Sequence, residues 1–194
     1  MQPRLAALSV VPLLAGLIAG CAPLPPPDGP DAARPPATAP TAAAPITDPH
    51  DAYPMLITAR DLDGQPLGDA GGRATVAVVF ASWCVHCRHE MEVLGTLLDA
   101  RADLRVVGVN YREHEEYDDR GDSDAVRAFV RDRAPWLRVV PADDALFRAL
   151  GAPPKVPTVY VYDGRGALVA MYDRRDRPAP EAAELGALLD RLAR

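Results

Sequence analysis

The feature that most constrains this chain is a run of apolar residues that leads directly into two closely spaced cysteines. Residues 77–81 are Ala-Val-Val-Phe-Ala, a composition typical of a buried strand. Ser82 and Trp83 follow, then Cys84 and Cys87 in the spacing C-x-x-C, and the residues beyond them are helical in pattern. The pattern therefore places Cys84 at a junction between a strand and a helix.

This position suits a reactive cysteine. Only a thiolate attacks a disulfide, and the first turn of a helix offers unsatisfied N–H groups and a partial positive charge that stabilise a negative sulfur. We therefore predict that Cys84 is a nucleophile with a lowered pKa. Cys87 follows nearly one helical turn later, so the two sulfurs can form and break a disulfide without unwinding the backbone.

Other uses of the two cysteines stay open at this point. Zinc needs four ligands, but Cys21 is the only other cysteine and the nearby His89 supplies at most a third ligand. Covalent haem attachment needs C-x-x-C-H, and position 88 is Arg. A purely structural disulfide is a further alternative, although so short a loop adds little stability. The residues alone favour a redox dithiol.

The length and charge of the chain indicate how many domains it forms and whether it binds nucleic acid. The chain has 194 residues and a formal charge of −6, without a dense run of Lys and Arg. We therefore expect one folded domain that acts as a monomer and does not bind nucleic acid.

The N-terminal residues indicate export and a lipid anchor. Residues 1–20 have the proportions of a signal peptide, with an uncharged apolar run from 5 to 19. Residues 18–21 (Ile-Ala-Gly-Cys) resemble the lipobox of bacterial lipoproteins, in which the cysteine becomes a lipid-modified N-terminus. The resemblance implies that Cys21 tethers the protein on the periplasmic side of a membrane. The choice between inner and outer membrane stays open, as does an ordinary signal peptide with an incidental cysteine.

A spacer separates this anchor from the folded part. Residues 21–50 contain the anchor cysteine and a linker, and ten of the 28 residues in 22–49 are proline and eight are alanine. Proline fixes φ and removes backbone donors, so we predict a semi-rigid linker without helix or sheet.

Residues 51–194 are predicted to form an α/β domain with a central mixed sheet flanked by helices. An N-terminal β-hairpin is expected from a strand at 55–60 and a turn at 61–66. Further strands are predicted at 75–80, 104–111, 137–140, 156–162 and 167–172. Helices are predicted after the cysteines and at 123–133, 143–150 and 180–194, with a solvated loop at 112–122.

This order of elements, together with Trp83-Cys84-Val85-His86-Cys87 and Val156-Pro157-Thr158, resembles the thioredoxin fold. More narrowly, residues 55–192 are similar to the membrane-tethered TlpA/ResA-type thiol-disulfide oxidoreductases. W-C-x-x-C-R-x-E-M, G-V-N-Y and V-P-T are the motifs that carry the similarity.

The resemblance assigns a substrate-binding role to three residues beside the dithiol. Pro157 is expected to follow a cis bond and to pack against the two cysteines. The backbone of Val156 is then free to pair with an extended substrate segment, as in strand addition. Trp83 is expected to be a packing surface beside the sulfurs.

Two further residues are expected to tune the chemistry. Glu90 matches a family glutamate that assists proton transfer to the dithiol. Thioredoxin has a buried Asp six residues before its first cysteine, where this chain has Val78, so the proton is expected to pass through Glu90 or water. A partly positive His86 would stabilise the Cys84 thiolate and make the disulfide a stronger oxidant than that of thioredoxin.

The resemblance implies an exported enzyme that exchanges disulfides with extracytoplasmic proteins. Its partners would be exported dithiol or disulfide proteins and an upstream redox partner, with cytochrome c maturation or copper-protein assembly as candidate pathways. It implies no cofactor or metal beyond the Cys84–Cys87 disulfide. A thiol peroxidase and a copper-binding or assembly protein are the alternatives on this fold.

Overall fold

The computed structural model describes residues 49–175 and 177–194. The signal peptide at 1–20, the anchor Cys21 and nearly all of the linker at 21–50 lie outside the described residues. Among the residues that are described, no helix is both long and apolar enough to cross a membrane.

The described residues form a five-stranded mixed sheet, as predicted. Its strands are β1 (Ala74–Phe80), β2 (Leu104–Tyr111), β3 (Arg138–Ala142), β4 (Thr158–Tyr162) and β5 (Leu168–Tyr172). Their order is β3-β2-β1-β4-β5. β1 is parallel to β2 and antiparallel to β4, and β2 is parallel to β3, while β4 and β5 form a hairpin.

Helices cover both faces of the sheet. They are α1 (Ala52–Thr58), α2 (Val85–Ala100), α3 (Arg112–Glu115), α4 (Ser123–Arg133), α5 (Asp144–Ala149) and α6 (Ala182–Leu192). Every residue of β1 is buried, and successive side chains of a strand point to opposite faces. Val78 and Phe80 pack in one core cluster with apolar residues of α2, α4 and α6, whereas Ala77 and Val79 pack in another with residues of α1 and α5.

The predicted N-terminal β-hairpin is wrong. Residues 55–60 were expected to be a strand, but α1 occupies most of this range. Tyr53 and Leu56 are buried at helical spacing, and Pro54 lies in the first turn, where a missing N–H costs nothing. The turn after α1 does form, since the Asp61 carboxylate accepts from the N–H groups of Asp63 and Gln65. Pairing is limited to an isolated bridge between residues 60 and 66.

The solvated loop predicted at 112–122 is also wrong in part. This segment contains the short helix α3 and a 3-10 turn, Tyr117–Asp119. Its charged run includes Glu115, which is 1% exposed. The segment therefore contributes to the interior of the protein.

Candidate active site

Cys84 lies where the sequence predicts it, between β1 and α2. It is the N-cap of α2, with an extended backbone (φ −76°, ψ 117°), and its sulfur accepts a hydrogen bond from the backbone N–H of Cys87 at 3.2 Å. Both cysteines are free thiols and both are buried. The helix therefore supplies the stabilised sulfur site that the C-x-x-C spacing suggests.

The pKa values of the two thiols are shifted in opposite directions. The Cys87 thiol donates a hydrogen bond to Cys84, and this bond lowers the pKa of Cys84 to about 6, with help from the N–H groups of Cys87 and His86 and the charge of Arg174. Burial raises the pKa of Cys87, as does the negative charge on Cys84. At neutral pH, Cys84 is therefore mostly a thiolate and Cys87 holds the shared proton.

Val156 and Pro157 lie against the dithiol. The Val156–Pro157 peptide bond is cis, as the resemblance implies. The Cys84 sulfur lies 3.8 Å from the carbonyl oxygen of Val156. Within residues 49–175 and 177–194, the backbone of Val156 makes no other hydrogen bond. Its peptide groups are thus available to an extended segment that approaches Cys84.

Trp83 forms one wall of the site, and hydrogen bonds from its indole N–H to the backbone hold it in place. Its indole N–H donates to the carbonyl oxygens of Glu115 at 2.9 Å and His114 at 3.2 Å. The Arg120 guanidinium lies 5.1 Å from the centre of the indole ring. With its only donor bound to the backbone, Trp83 presents an apolar surface and takes no part in proton transfer.

Glu90 is buried in α2, on the same helical face as Cys87 three residues earlier. Burial raises its pKa to about 7, against the opposing charge of Arg174. Its Oε1 atom has no hydrogen-bond partner among the described residues. A carboxyl group in this condition can gain or lose a proton near neutral pH.

Sequence reasoning missed a second buried carboxylate, Glu115. It accepts hydrogen bonds from the backbone N–H of Ser82 at 2.9 Å, from the Ser82 hydroxyl, and from the side-chain amide of Asn110 at 2.8 Å. Asn110 also donates to the carbonyl of Phe80 at 3.1 Å. The network ties the loop before Cys84 to the end of β2. The polar Asn110, which follows the apolar residues 106–109 of β2, was the one available signal.

The remaining residues that the sequence singled out are two histidines and the anchor cysteine. His86 is exposed and lines the same cavity as Cys84, while Cys21 lies outside the described residues. His89, considered as a third zinc ligand, is exposed and lies 3.9 Å from Glu92. In the part of the chain that the structure describes, no three His, Cys, Asp or Glu side chains form a cluster that could hold a metal ion.

Comparison with other proteins supports the fold. Neither family models nor curated proteins match the chain. Among solved structures, a secreted Mycobacterium tuberculosis disulfide oxidoreductase homologous to E. coli DsbE is 20% identical, with a TM-score of 0.57, over 71% of this chain and 97% of that one. The exposed lipoprotein thioredoxin Etrx1 of Streptococcus pneumoniae is 18% identical, with a TM-score of 0.54, over 69% and 97%.

A third similar structure is StoA from Bacillus subtilis, which is 17% identical, with a TM-score of 0.52, over 67% of this chain and 92% of that one. Identities this low establish architecture only. The strand order, the helices on both faces and these structural similarities together show that the chain has the thioredoxin fold.

Proposed function

We propose that this protein is a thiol-disulfide oxidoreductase that acts on other proteins through Cys84 and Cys87. The observation that carries the proposal is the capping of α2 by the Cys84 sulfur, which has a pKa of about 6, beside the buried protonated thiol of Cys87. A structural cysteine pair has no need of one thiolate and one thiol. Disulfide exchange needs both.

The reductive direction illustrates the chemistry. The Cys84 thiolate attacks one sulfur of a substrate disulfide, which forms a mixed disulfide and releases the other substrate sulfur as a thiolate. Cys84 then no longer carries the charge that raises the pKa of Cys87. Cys87 loses its proton and attacks Cys84, which releases the second substrate thiolate and leaves the Cys84–Cys87 disulfide. Two electrons move from the pair to the substrate, and each step is reversible.

Glu90 is the proposed acceptor of the Cys87 proton. A pKa of about 7 leaves much of this carboxyl group ionised at neutral pH, and its Oε1 makes no competing hydrogen bond with the described residues. Glu90 therefore acts in the second step, when Cys87 must become a nucleophile.

The substrate is proposed to bind as an extended segment between Trp83 and Val156. The free backbone of Val156 can pair with that segment, and its carbonyl oxygen lies close to the attacking sulfur. Because main-chain hydrogen bonds carry no side-chain information, this part of the site accepts many sequences.

We further propose that the enzyme works outside the cytoplasm, tethered by a lipid on Cys21, and exchanges disulfides with exported proteins and an upstream redox partner. The lipobox-like residues 18–21 support this placement. Two of the similar structures are a secreted disulfide oxidoreductase and an exposed lipoprotein. Assembly of c-type cytochromes or copper proteins is the candidate setting.

Reduction of insulin disulfides by dithiothreitol tests the activity. The protein should accelerate precipitation of the insulin B chain, Cys84→Ser should abolish the acceleration, and Cys87→Ser should trap a mixed disulfide. Equal acceleration by Cys84→Ser would contradict the proposal. Membrane fractionation of the full chain and of Cys21→Ala, after labelling with palmitate, tests the anchor separately.

A further inference from the structure

Basic side chains line the cavity over Cys84, although the chain as a whole carries a charge of −6. This cavity has a volume of about 560 Å³, and Arg120, Lys155 and Arg174 lie in its wall. No Asp or Glu is among the described residues that line it. The entrance to the dithiol is therefore positive on an acidic protein.

The side chains of Arg120 and Lys155 are available to a ligand, whereas the charge of Arg174 also acts on Cys84 and Glu90. Among residues 49–175 and 177–194, no carboxylate forms an ion pair with Lys155 or Arg174. Arg120 has one ion-pair partner among the described residues, Asp118 at 3.9 Å, and both side chains are more than half exposed. An exposed pair at this distance is held together by little free energy, so the Arg120 guanidinium can exchange Asp118 for an acidic ligand.

The cations lie next to the groups that meet the substrate. Lys155 precedes Val156 in the chain, and its ammonium group lies 3.5 Å from the carbonyl oxygen of Arg174. Arg120 lies over the ring of Trp83, the opposite partner of the proposed binding cleft. A segment bound through the backbone of Val156 would therefore place the neighbours of its reacting cysteine near positive charge.

We propose that this basic groove selects protein segments in which acidic residues flank the reacting cysteine. The inference rests on the proposed exchange activity and adds a substrate class to it. Exposed charges attract an oppositely charged ligand over about a Debye length, so the preference acts mainly on the rate of encounter and weakens with salt.

Three matched peptides test the preference. Each has one cysteine joined by a disulfide to 5-thio-2-nitrobenzoate, and its flanking residues are Asp and Glu, Asn and Gln, or Lys. The Cys84 thiolate attacks the peptide sulfur, coloured thionitrobenzoate leaves, and Cys87 then releases the peptide thiolate while the enzyme disulfide forms. The measured quantity is the second-order rate of colour release by the reduced protein.

The acidic peptide should react about 10-fold faster than the neutral one at about 0.01 M ionic strength, and the advantage should largely vanish at about 1 M. The basic peptide should be the slowest. Equal rates for all three peptides at low salt would overturn the inference while leaving the exchange activity established. No colour release from any peptide would instead contradict the proposed function.

Charge reversal locates the preference. Lys155→Glu should slow the acidic peptide several-fold more than it slows the neutral peptide, and Arg120→Glu should act in the same direction. Arg131→Glu is the matched control, because Arg131 is an exposed cation on α4 that does not line the cavity. A loss that Arg131→Glu shares would assign the effect to net charge and overturn the role of the groove.

Discussion

Two buried glutamates beside the dithiol, Glu90 and Glu115, show how surroundings divide one residue type into two roles. They are 2% and 1% exposed, and neither forms an ion pair with a described residue. Glu115 accepts hydrogen bonds from Ser82 and Asn110. Oε1 of Glu90 accepts none from the described residues.

The contrast follows from the cost of burying a charge. Donors from the protein replace the water that an ionised carboxylate loses, so Glu115 can fix the loop that carries Trp83 and Cys84. Glu90 lacks such donors, and burial raises its pKa to about 7. This contrast supports the proposed division, in which Glu115 positions the loop and Glu90 carries the Cys87 proton.

The largest predicted effect is a loss of folding stability when the Glu115 side chain is removed. Glu115→Ala leaves the Ser82 N–H and hydroxyl and one N–H of the Asn110 amide without their acceptor, so the free energy of unfolding should fall by about 4 kcal/mol. Glu115→Gln keeps one acceptor oxygen and should cost about half as much. Urea unfolding measures both, with the exposed Glu116→Ala as control. Stability equal to that control would refute the anchoring role.

The next effect is a pH dependence of stability that comes from Glu90. Its pKa rises from 4.5 in the unfolded chain to about 7 in the folded protein, so the folded state holds a proton that the unfolded state has lost. The Glu90 carboxyl group makes its full contribution to the free energy of unfolding below pH 4.5. This contribution declines as the pH rises to about 7 and is then constant, and the total loss is about 3 kcal/mol. Glu90→Gln should remove that part of the pH dependence in urea titrations.

Glu92→Gln, an exposed change in the same helix, is the control for that measurement. It should leave the wild-type pH profile in place. If Glu90→Gln and the wild type lose stability in parallel between pH 4.5 and 7, the raised pKa of Glu90 is wrong.

A somewhat smaller effect is expected on the second chemical step. Glu90→Gln cannot accept the Cys87 proton, so release of substrate from the mixed disulfide should slow on the order of 10²-fold at pH 7.5. Single-turnover quenching with acid separates this step from the first attack, which should be unchanged. The wild-type rate should also rise as the pH passes about 7, and the variant should lack that rise. Slowing of the first attack instead would place Glu90 in another role.

The dithiol and the strand-to-helix junction around it could be predicted from the sequence because those features are local. A strand, the C-x-x-C pair at 84–87 and a helical pattern follow one another directly along the chain. The helix cap at Cys84 depends only on the first turn of α2. The resemblance supplied the cis bond before Pro157, which the structure contains. The mixed sheet followed from the order of its elements.

Glu115 and α1 were missed because their structure depends on contacts distant in sequence. A charged run at 112–122 indicates solvent, yet Ser82 lies 33 residues away from Glu115 and supplies the donors that permit its burial. Residues 55–60 contain apolar residues compatible with either a strand or a helix. Packing of Tyr53 on Tyr162, with ring centres 5.2 Å apart, belongs to the helical arrangement.

The smallest predicted effect belongs to His86, the exposed member of the site. We expect a partly positive ring there to stabilise the Cys84 thiolate, and hence the reduced protein, through a charge that solvent screens more than it screens the buried carboxyls. His86→Ala should therefore lower the reduction potential by about 30 mV, a tenfold change in the equilibrium with glutathione. His89→Ala, three residues further along α2 and also exposed, should change it little. A wild-type potential near that of thioredoxin, or an unchanged potential in His86→Ala, would leave the N–H groups, the Cys87 thiol and Arg174 as the stabilisers of the thiolate.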